Sequence, residues 1–250
     1  MDTQGELTGK VAMITGGSRG IGRGIALKLA QAGADIIINY LEREDSAWEV
    51  VKWVEGMGRK AYAIRADVAQ ESEVERMFAE ARTRFDRLDI FINNVGPFKM
   101  KRVADMIPED WKLIIDANLN SAYHCIRHVV PLMRAQKEGL IIFIGAPNAE
   151  RVGSAFETCA YSIAKTGVVI LAQTLAREEA PNGIRANVVN PGFIENDAMT
   201  PSRRAWMPRE VPLNRVGSPS DIGEAVLFLA SPNASYVNGA VINVHGGLWV

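Results

Sequence analysis

Short apolar runs alternate along this chain with longer stretches that mix apolar and polar residues. The runs are five to seven residues long and rich in Val and Ile, which is typical of strands buried on both faces of a sheet. The longer stretches repeat apolar residues every three or four positions, which predicts helices packed on that sheet. The predicted strands are KVAMIT (10–15), DIIIN (35–39), KAYAIRA (60–66), LDIFIN (88–93), LIIFIG (140–145), IRANVVN (184–190) and AVINV (240–244).

This alternation predicts the fold class. Strand, helix and strand with crossovers of this length give a parallel sheet with helices on both faces. We therefore expect an α/β, doubly wound parallel sheet of about seven strands. No linker divides the chain, so residues 1–250 are expected to form a single domain. The least regular stretch, 192–220, carries four prolines and is predicted to be a loop excursion of that domain, in the position of a lid.

Composition excludes several classes of protein. The chain has 250 residues, 48% hydrophobic and 23% charged, with a net charge of −1. This balance gives no basic patch for nucleic acid. No apolar run reaches the ~18 residues that a membrane span requires, and the polar start MDTQGELTGK predicts a cytoplasmic location. The two cysteines, Cys125 and Cys159, and the three scattered histidines lack metal-ligand spacing, so no metal site is expected.

A glycine-rich turn follows the first predicted strand. The segment TGGSRGIG (15–22) leads from that strand into a helix. Glycines let the backbone approach a bound group closely, and the helix N-terminus presents free N–H groups to an anion. This context predicts pyrophosphate binding in a Rossmann-type, dinucleotide-binding domain; the alternative is a tight turn without a ligand. The expected contacts from this turn are Gly16, Ser18, Arg19, Gly20, Ile21 and Gly22.

The end of the second strand indicates which dinucleotide is preferred. Proteins that prefer NAD place Asp or Glu there to bind the ribose 2′-hydroxyl. Here the position is Asn39, followed by Tyr40, so no carboxylate repels a 2′-phosphate. Arg19 and Arg43 are placed to pair with that phosphate, which favours NADP(H) over NAD(H). The alternative is that both arginines are solvated surface charges.

The segment CAYSIAKTG (159–167) places Tyr161 four residues before Lys165 at the start of a predicted helix. Residues i and i+4 share one helical face, so the phenol and the ammonium can interact. That spacing is common, and by itself it does not separate a catalytic pair from two ordinary surface residues.

The full set of motifs resembles the short-chain dehydrogenase/reductase family, and within it the 3-oxoacyl-[acyl-carrier-protein] reductase branch. The resemblance runs from Lys10 to Gly247. It is carried by TGGSRGIG, ADV (66–68), NNVG (93–96), ANL (117–119), YSIAK (161–165), NPGFI (190–194) and HGG (245–247).

The resemblance implies an NADPH-dependent carbonyl reductase in which Tyr161 donates the proton. Lys165 would lower the pKa of that phenol and hold the nicotinamide ribose, and Asn118, in the fourth main helix, would hold a water leading to Lys165. On the adenosine side, Asp67, Val68, Asn94 and Gly96 would contact the cofactor. At the nicotinamide ring, the expected contacts are Pro191, Gly192, Ile194 and Asn196.

One departure from the family pattern concerns the serine that holds the substrate carbonyl. Alignment on the strand end puts Ala146 at that position, whereas counting thirteen residues back from Tyr161 gives Asn148; Ser154 is the next hydroxyl. The loop is about two residues longer than usual. Asn148 could replace the serine, the enzyme could work more slowly without this donor, or the chain could be an NADPH sensor or partner subunit with little activity.

Substrate and assembly follow from the resemblance as further expectations. The substrate is expected to be a small or acyl-carrier-bound carbonyl compound. The segment PSRRAWMPRE (201–210) would suit an acidic carrier protein, although a solvated lid explains it equally. The family usually forms tetramers, and the apolar segments HCIRHVVPLM (124–133), GVVILAQTLAREEA (167–180) and GGLWV (246–250) predict a homotetramer, with a dimer as the alternative.

Overall fold

A computed structural model describes residues 5–197 and 199–248 of the chain. Within these residues the centre of the fold is a seven-stranded, all-parallel sheet with the strand order β3-β2-β1-β4-β5-β6-β7. Each strand overlaps one of the seven predicted runs, so the predicted fold class is confirmed. The strands are β1 Val11–Ile14, β2 Asp35–Tyr40, β3 Ala61–Arg65, β4 Ile90–Asn93, β5 Gly139–Ile144, β6 Ile184–Pro191 and β7 Val241–Val244.

Helices cover both faces of the sheet. The helices α1, α2 and α8 pack on one face, and α3, α5 and α6 pack on the other. A π-helical turn, Asp116–Asn120, joins α4 to α5. The helices are α1 Gly20–Gln31, α2 Glu44–Gly56, α3 Glu71–Arg82, α4 Pro108–Ile115, α5 Ser121–Gln136, α6 Cys159–Glu178, α7 Pro201–Glu210 and α8 Pro219–Ala230, with short 3₁₀ turns at Val103–Asp105, Ala180–Asn182 and Pro232–Ala234.

The sheet separates two hydrophobic cores. Successive strand residues point to opposite faces, so Met13 packs with the α3, α5 and α6 layer while Ile14 packs with the α1, α2 and α8 layer. Both side chains are completely buried. Burial on both faces explains why the strands read as continuous apolar runs rather than as an alternating pattern.

The carboxyl ends of all seven strands meet at one edge of the sheet. The chain leaves β1 towards β2 on one side, and β4 lies on the other side of β1. This reversal of strand order opens a crevice at the carboxyl edge, where ligands of such sheets bind. The fold therefore brings the glycine turn, the NNVG segment and the turn after β5 together.

Helix α6 carries the Tyr161–Lys165 pair and is the one described helix that is long and apolar enough, by length and composition alone, to cross a membrane. A core helix passes the same test, and α6 packs against β5 and β6 with Ala164, Val168 and Ala172 buried. These contacts explain its apolar composition.

The stretch 192–220 is more regular than its sequence suggests. It contains α7, which begins with Pro201 after Thr200, and the Thr200 hydroxyl oxygen accepts a hydrogen bond from the Arg203 N–H at 3.3 Å. A proline at the first helical position and a threonine cap are strong start signals. Pro208 lies within the last turn of α7. The predicted loop excursion is therefore partly helical.

Candidate active site at the carboxyl edge of the sheet

The glycine turn after β1 is shaped by close backbone contacts. Gly16 and Gly20 adopt positive φ angles of 62° and 52°, which only glycine adopts without strain. A Cβ added at Gly17 would lie 2.5 Å from the Ile38 side chain, and one added at Gly22 would lie 2.4 Å from the Gly16 carbonyl oxygen. Glycine is therefore required at positions 16, 17, 20 and 22 by the path of the turn and its neighbours.

The residues of this turn fit a pyrophosphate. Helix α1 begins at Gly20 with no acidic residue in its first turn, and no side chain caps it at Arg19. Its first N–H groups thus lack acceptors within the helix and lie at its positive dipole end. Arg19 is exposed beside them, whereas Ser18 is buried. Ile21 is half-buried and packs against the α1 core.

Thr15 and Asn94 fasten the end of β4 to this turn. The Thr15 hydroxyl oxygen accepts a hydrogen bond from the Asn94 N–H at 2.9 Å. The Asn94 side-chain amide donates to the carbonyl oxygens of Thr15 and Gly16 at 2.9 and 3.2 Å. Asn94 thus holds the wall of the crevice, in addition to the cofactor contact expected of it.

At the end of β2, Asn39 supports the backbone. Its Oδ1 accepts a hydrogen bond from the Gly16 N–H at 3.3 Å, and its Nδ2 donates to the Ala66 carbonyl at 2.8 Å. Asn39 is 1% exposed, so its amide joins β1, β2 and β3 rather than facing open solvent. Tyr40 is buried as well, and burial, with Glu44 nearby, raises the pKa of its phenol. Arg43 is exposed just beyond.

The turn after β3 holds the two residues assigned to the adenine. The Asp67 carboxylate accepts a hydrogen bond from the Ala69 N–H at 2.9 Å, which fixes its rotamer. Val68 is buried beside it. Asp67 keeps one carboxylate oxygen, Oδ2, that is in no hydrogen bond described for this region, so it can accept one from an amino group.

Tyr161 and Lys165 lie on one face of the first turns of α6, as their spacing predicts. The Lys165 Nζ atom lies 5.7 Å from the centre of the Tyr161 ring and donates a hydrogen bond to the Ile144 carbonyl at 2.8 Å. Lys165 is 1% exposed. Burial raises the pKa of Tyr161 to about 12 and lowers the pKa of Lys165 to about 8.

The expectation that Lys165 lowers the pKa of Tyr161 is therefore not met in this structure. Desolvation of the phenol is the cause of the rise in its pKa, and the Lys165 ammonium is directed to the end of β5. At neutral pH the phenol keeps its proton, which is the state that a proton donor requires.

Asn118 and Lys165 meet at Gly96. A Cβ added at Gly96 would lie 2.5 Å from the Asn118 Oδ1 and 2.8 Å from the Lys165 Nζ. The Asn118 Nδ2 donates to the carbonyls of Pro97 and Ile114 at 3.0 and 2.9 Å, while its buried Oδ1 has no partner among the described residues. Asn118 lies in the π-helical turn before α5, and such turns are frequent at functional sites.

The turn after β5 has no hydroxyl at the position of the family serine. Ala146 is 6% exposed, and Ser154 is exposed further along the loop. Asn148 is half-buried with a φ of 56°, a left-handed conformation that asparagine tolerates better than most residues. Among the described residues no hydrogen bond joins the Asn148 side chain to Tyr161.

The NPGFI segment closes the crevice on its far side. Pro191 ends β6, and a Cβ added at Gly192 would lie 2.6 Å from the His245 Cα. Ile194 is buried and bridges to Gly217. Asn196 is exposed, and its Nδ2 donates to the Ile194 carbonyl at 3.3 Å. Pro191, Gly192 and Ile194 are held rigidly, whereas Asn196 lies at the rim.

Sequence reasoning did not identify three residues that help to build this site. Thr15 fastens Asn94, as described above. The Phe98 ring packs edge-on against Tyr161, with the two ring centres 5.0 Å apart. Glu150 accepts hydrogen bonds from the side chains of Asn190 and Asn243. A signal existed only for Phe98, because an aromatic residue directly after NNVG is placed to line the crevice.

No cluster of three or more His, Cys, Asp or Glu side chains that could hold a metal occurs among residues 5–197 and 199–248. Both cysteines are free thiols. Cys125 is buried, and Cys159 is half-buried at the start of α6.

Three kinds of comparison relate the chain to known proteins. Residues 16–249 match a family model described as enoyl-(acyl carrier protein) reductase. Among curated proteins, the 3-oxoacyl-[acyl-carrier-protein] reductase FabG of Staphylococcus epidermidis is 38% identical over 96% of this chain and 99% of its own length. The protein of the same description from Escherichia coli is 35% identical over 97% of this chain and 98% of its own.

Solved structures agree with this relationship. A short-chain type dehydrogenase/reductase from Mycobacterium marinum superposes with a TM-score of 0.89 at 32% identity, covering 97% of this chain and 96% of that one. A blue fluorescent protein from a metagenomic library, in complex with NADPH, gives a TM-score of 0.89 at 33% identity, covering 98% of this chain and all of that one.

Proposed function

Because the chain belongs to the short-chain dehydrogenase/reductase family of oxidoreductases, we propose that it reduces a carbonyl group with NADPH, with a 3-oxoacyl thioester or a similar ketone as substrate. The observation that carries the proposal is the Tyr161–Lys165 pair on one face of α6, with Lys165 buried and Tyr161 half-buried, at the same edge of the sheet as the glycine turn. The curated relatives' description as 3-oxoacyl-[acyl-carrier-protein] reductases supports the substrate class.

Three residues of the crevice have roles in the proposed reaction. Bound NADPH would supply the hydride. Tyr161 protonates the carbonyl oxygen as negative charge grows on it, because an alkoxide is a stronger base than a phenolate. The Lys165 ammonium stabilises the phenolate that remains. The Asn118 Oδ1, unpaired and beside Lys165, accepts a hydrogen bond from a water that returns the proton.

The cofactor preference for NADP(H) rests on the end of β2. The residue at this position is Asn39, so no carboxylate faces the ribose there, and its amide is hydrogen-bonded to the backbone. Arg19 and Arg43 are both exposed. The guanidinium groups are suited to a 2′-phosphate. The NADPH bound to a similarly folded protein supports the same preference.

The experiment measures NADPH oxidation with a 3-oxoacyl thioester, a panel of simple ketones and an enoyl thioester, together with the dissociation constants of NADPH and NADH. We expect turnover of one or more carbonyl compounds and tighter binding of NADPH. The enoyl thioester is included because the matching family model bears that description.

Two results would overturn the proposal. Reduction of the enoyl thioester alone would make the protein an enoyl reductase. Tight NADPH binding without turnover of any compound would favour the alternative role as a sensor or partner subunit. Tighter binding of NADH would refute the cofactor preference separately from the reaction.

Asn148 is proposed as the second donor to the carbonyl oxygen, in place of the absent serine. Replacing Asn148 by Gly removes the amide but keeps the left-handed backbone unstrained. We expect kcat to fall by about 10- to 100-fold, which is somewhat below the ~10²–10³ typical of an optimised oxyanion donor. Ala146→Ser in that background should recover part of the loss, as measured by steady-state kinetics. Full activity of the Gly variant would mean that Tyr161 acts without this partner.

Assembly and location complete the proposal. The side chains of Ile163 and Ile170 on α6 and Tyr123 on α5 are 48%, 61% and 53% exposed, and β7 is a half-exposed edge strand, which supports a homotetramer built on these helices and this strand. Trp249 and Val250 of the predicted contact lie outside the described residues.

Exposed Arg203, Arg204 and Arg209 on α7 suit an acidic carrier protein. A cytoplasmic location agrees with this role.

A further inference from the structure

A carboxylate in the turn after β5 joins that turn to two neighbouring strands. The Glu150 Oε2 accepts a hydrogen bond from the Asn190 Nδ2 at 2.9 Å, and its Oε1 accepts one from the Asn243 Nδ2 at 3.0 Å. The Asn190 Nδ2 also donates to the Asn243 Oδ1 at 3.0 Å. Asn190 lies near the end of β6 and Asn243 lies in β7. We call these three residues the Glu150 clamp.

The turn encloses the Asn190 side chain from two sides. On one side, a Cβ added at Gly145 would lie 2.0 Å from the Asn190 Oδ1, so only glycine fits there. The Gly145 N–H donates to the Val189 carbonyl at 2.9 Å. On the other side lies the Glu150 carboxylate. Asn190 is completely buried, and residues 145–150 pack around its amide.

The charge of Glu150 strengthens these contacts. Partial burial pushes the pKa of Glu150 up, but the hydrogen bonds from Asn243 and Asn190 and the nearby Arg151 bring it below its ordinary value. The group is therefore ionised at neutral pH, and both of its oxygens accept. Hydrogen bonds to an ionised acceptor are roughly twice as strong as neutral ones.

The clamp lies in the part of the chain where the family serine is absent. Within residues 146–151 the described backbone hydrogen bonds are local, from the Ala149 N–H to the Ala146 carbonyl and from the Arg151 N–H to the Asn148 carbonyl. Among the described hydrogen bonds, those of Glu150 are the ones that fasten this segment to β6 and β7. Asn148 lies between Ala146 and Glu150, so its position depends on them.

We propose that Glu150 is a positioning residue for carbonyl reduction: its carboxylate, held by Asn190 and Asn243, fixes the turn 145–150 and thereby places Asn148 against the substrate. This inference rests on the proposed function for its kinetic consequence, but its structural part can be tested without any substrate. Glu150 itself does not touch the reacting atoms.

The test exchanges donor and acceptor within the clamp. Glu150→Gln keeps the shape of the side chain. Its new amide N–H, however, faces the N–H of Asn190 or of Asn243, so one hydrogen bond is replaced by two opposed donors. Asn243→Asp alone places two carboxylates side by side. The double variant Glu150→Gln, Asn243→Asp restores complementary pairing, because the new amide donates to the new carboxylate and the total charge is unchanged. Coupling in such a cycle isolates the pairwise interaction.

Two readouts are recorded for all four proteins. Amide hydrogen exchange of residues 145–158 without cofactor reports whether the turn is held. Each single variant should exchange faster there, and the double variant should return towards the parent. In kinetics, each single variant should lose about 10- to 100-fold in kcat/KM, mainly in kcat. The NADPH dissociation constant should stay within about 2-fold of the parental value. The double variant should recover most of the loss in kcat/KM.

Glu49→Gln, on the exposed side of α2, is the matched control and should leave both readouts unchanged. Unchanged exchange and kcat/KM in Glu150→Gln would overturn the clamp, as would a double variant no better than the worse single one. If the parent reduces no carbonyl compound, the proposed function fails, and the exchange data still decide whether the clamp holds the turn.

Discussion

Replacement of Tyr161 by Phe is expected to reduce kcat by at least ~10³-fold, towards the upper end of what a general acid contributes. The phenyl ring keeps its edge-on packing against Phe98, so the site retains its shape and loses only the hydroxyl. The dissociation constant of NADPH, measured by fluorescence titration, should change by less than about 2-fold. Steady-state kinetics with the best carbonyl substrate give the loss in kcat.

The matched control is Tyr236→Phe, because the Tyr236 side chain is fully exposed. That variant should be as active as the parent. A Tyr161→Phe protein that keeps more than a tenth of the parental kcat would show that another group donates the proton. An inactive variant that also fails to bind NADPH would indicate a damaged site rather than a missing donor.

Replacement of Lys165 by Met is expected to abolish turnover and at the same time to stabilise the fold. The ammonium is 1% exposed, it forms no ion pair with any described residue, and burial lowers its pKa to about 8. A downward shift of this size corresponds to roughly 3 kcal/mol against the charged form. Met fills a similar volume without the charge, although the Ile144 carbonyl loses its donor.

The net gain should be about 1–2 kcal/mol in the free energy of unfolding at pH 7, or about 2–8 °C in Tm for a domain of this size. The pH dependence identifies the cause. Between pH 8 and the ordinary lysine value of 10.5, the unfolded parent binds a proton that the folded parent has lost, so the parent gains stability as pH rises. The difference between variant and parent should therefore shrink across that window.

Differential scanning calorimetry at pH 7 and at pH 9.5 measures this effect, with the exposed Lys52→Met as control. A Lys165→Met protein that melts below the parent at pH 7 would contradict the assignment of an uncompensated buried ammonium. The same profile has a catalytic counterpart, because the parent should lose carbonyl reduction above about pH 8 as Lys165 loses its charge.

Much of this architecture is determined locally and could therefore be predicted. Seven apolar runs rich in β-branched residues, separated by helical repeats, predict buried parallel strands, and parallel strands have their carboxyl ends at one edge of the sheet. Gly16 and Gly20 of TGGSRGIG are required by their positive φ angles, and Gly22 by its close approach to the Gly16 carbonyl within the same turn. The spacing of Tyr161 and Lys165 fixes their shared face because a helix repeats every ~3.6 residues.

Other features depended on distant contacts that no local pattern encodes. The sequence predicted Asn39 as a cofactor contact at a position without a carboxylate, but its amide is hydrogen-bonded to Gly16 and Ala66, which follow the neighbouring strands. The pKa of Tyr161 rises rather than falls, because desolvation is a property of the assembled core. Helix α7 was not predicted, because the number of prolines in residues 192–220 favoured a loop. The Thr200 cap and Pro201 at the first helical position are the local signals that favour a helix there.

The sequence by itself determined the strands, the glycine turn and the shared helical face of Tyr161 and Lys165, since each depends on residues within one turn or one strand. Only the tertiary structure decided how the segment beside Ala146 is fastened to the sheet. The sequence of residues 146–151 does not indicate how this turn is held. Glu150 is bonded to Asn190 and Asn243, which lie 40 and 93 positions away along the chain. Hydrogen bonds over such separations follow from the meeting of strand ends, and so they exist only once the sheet has formed.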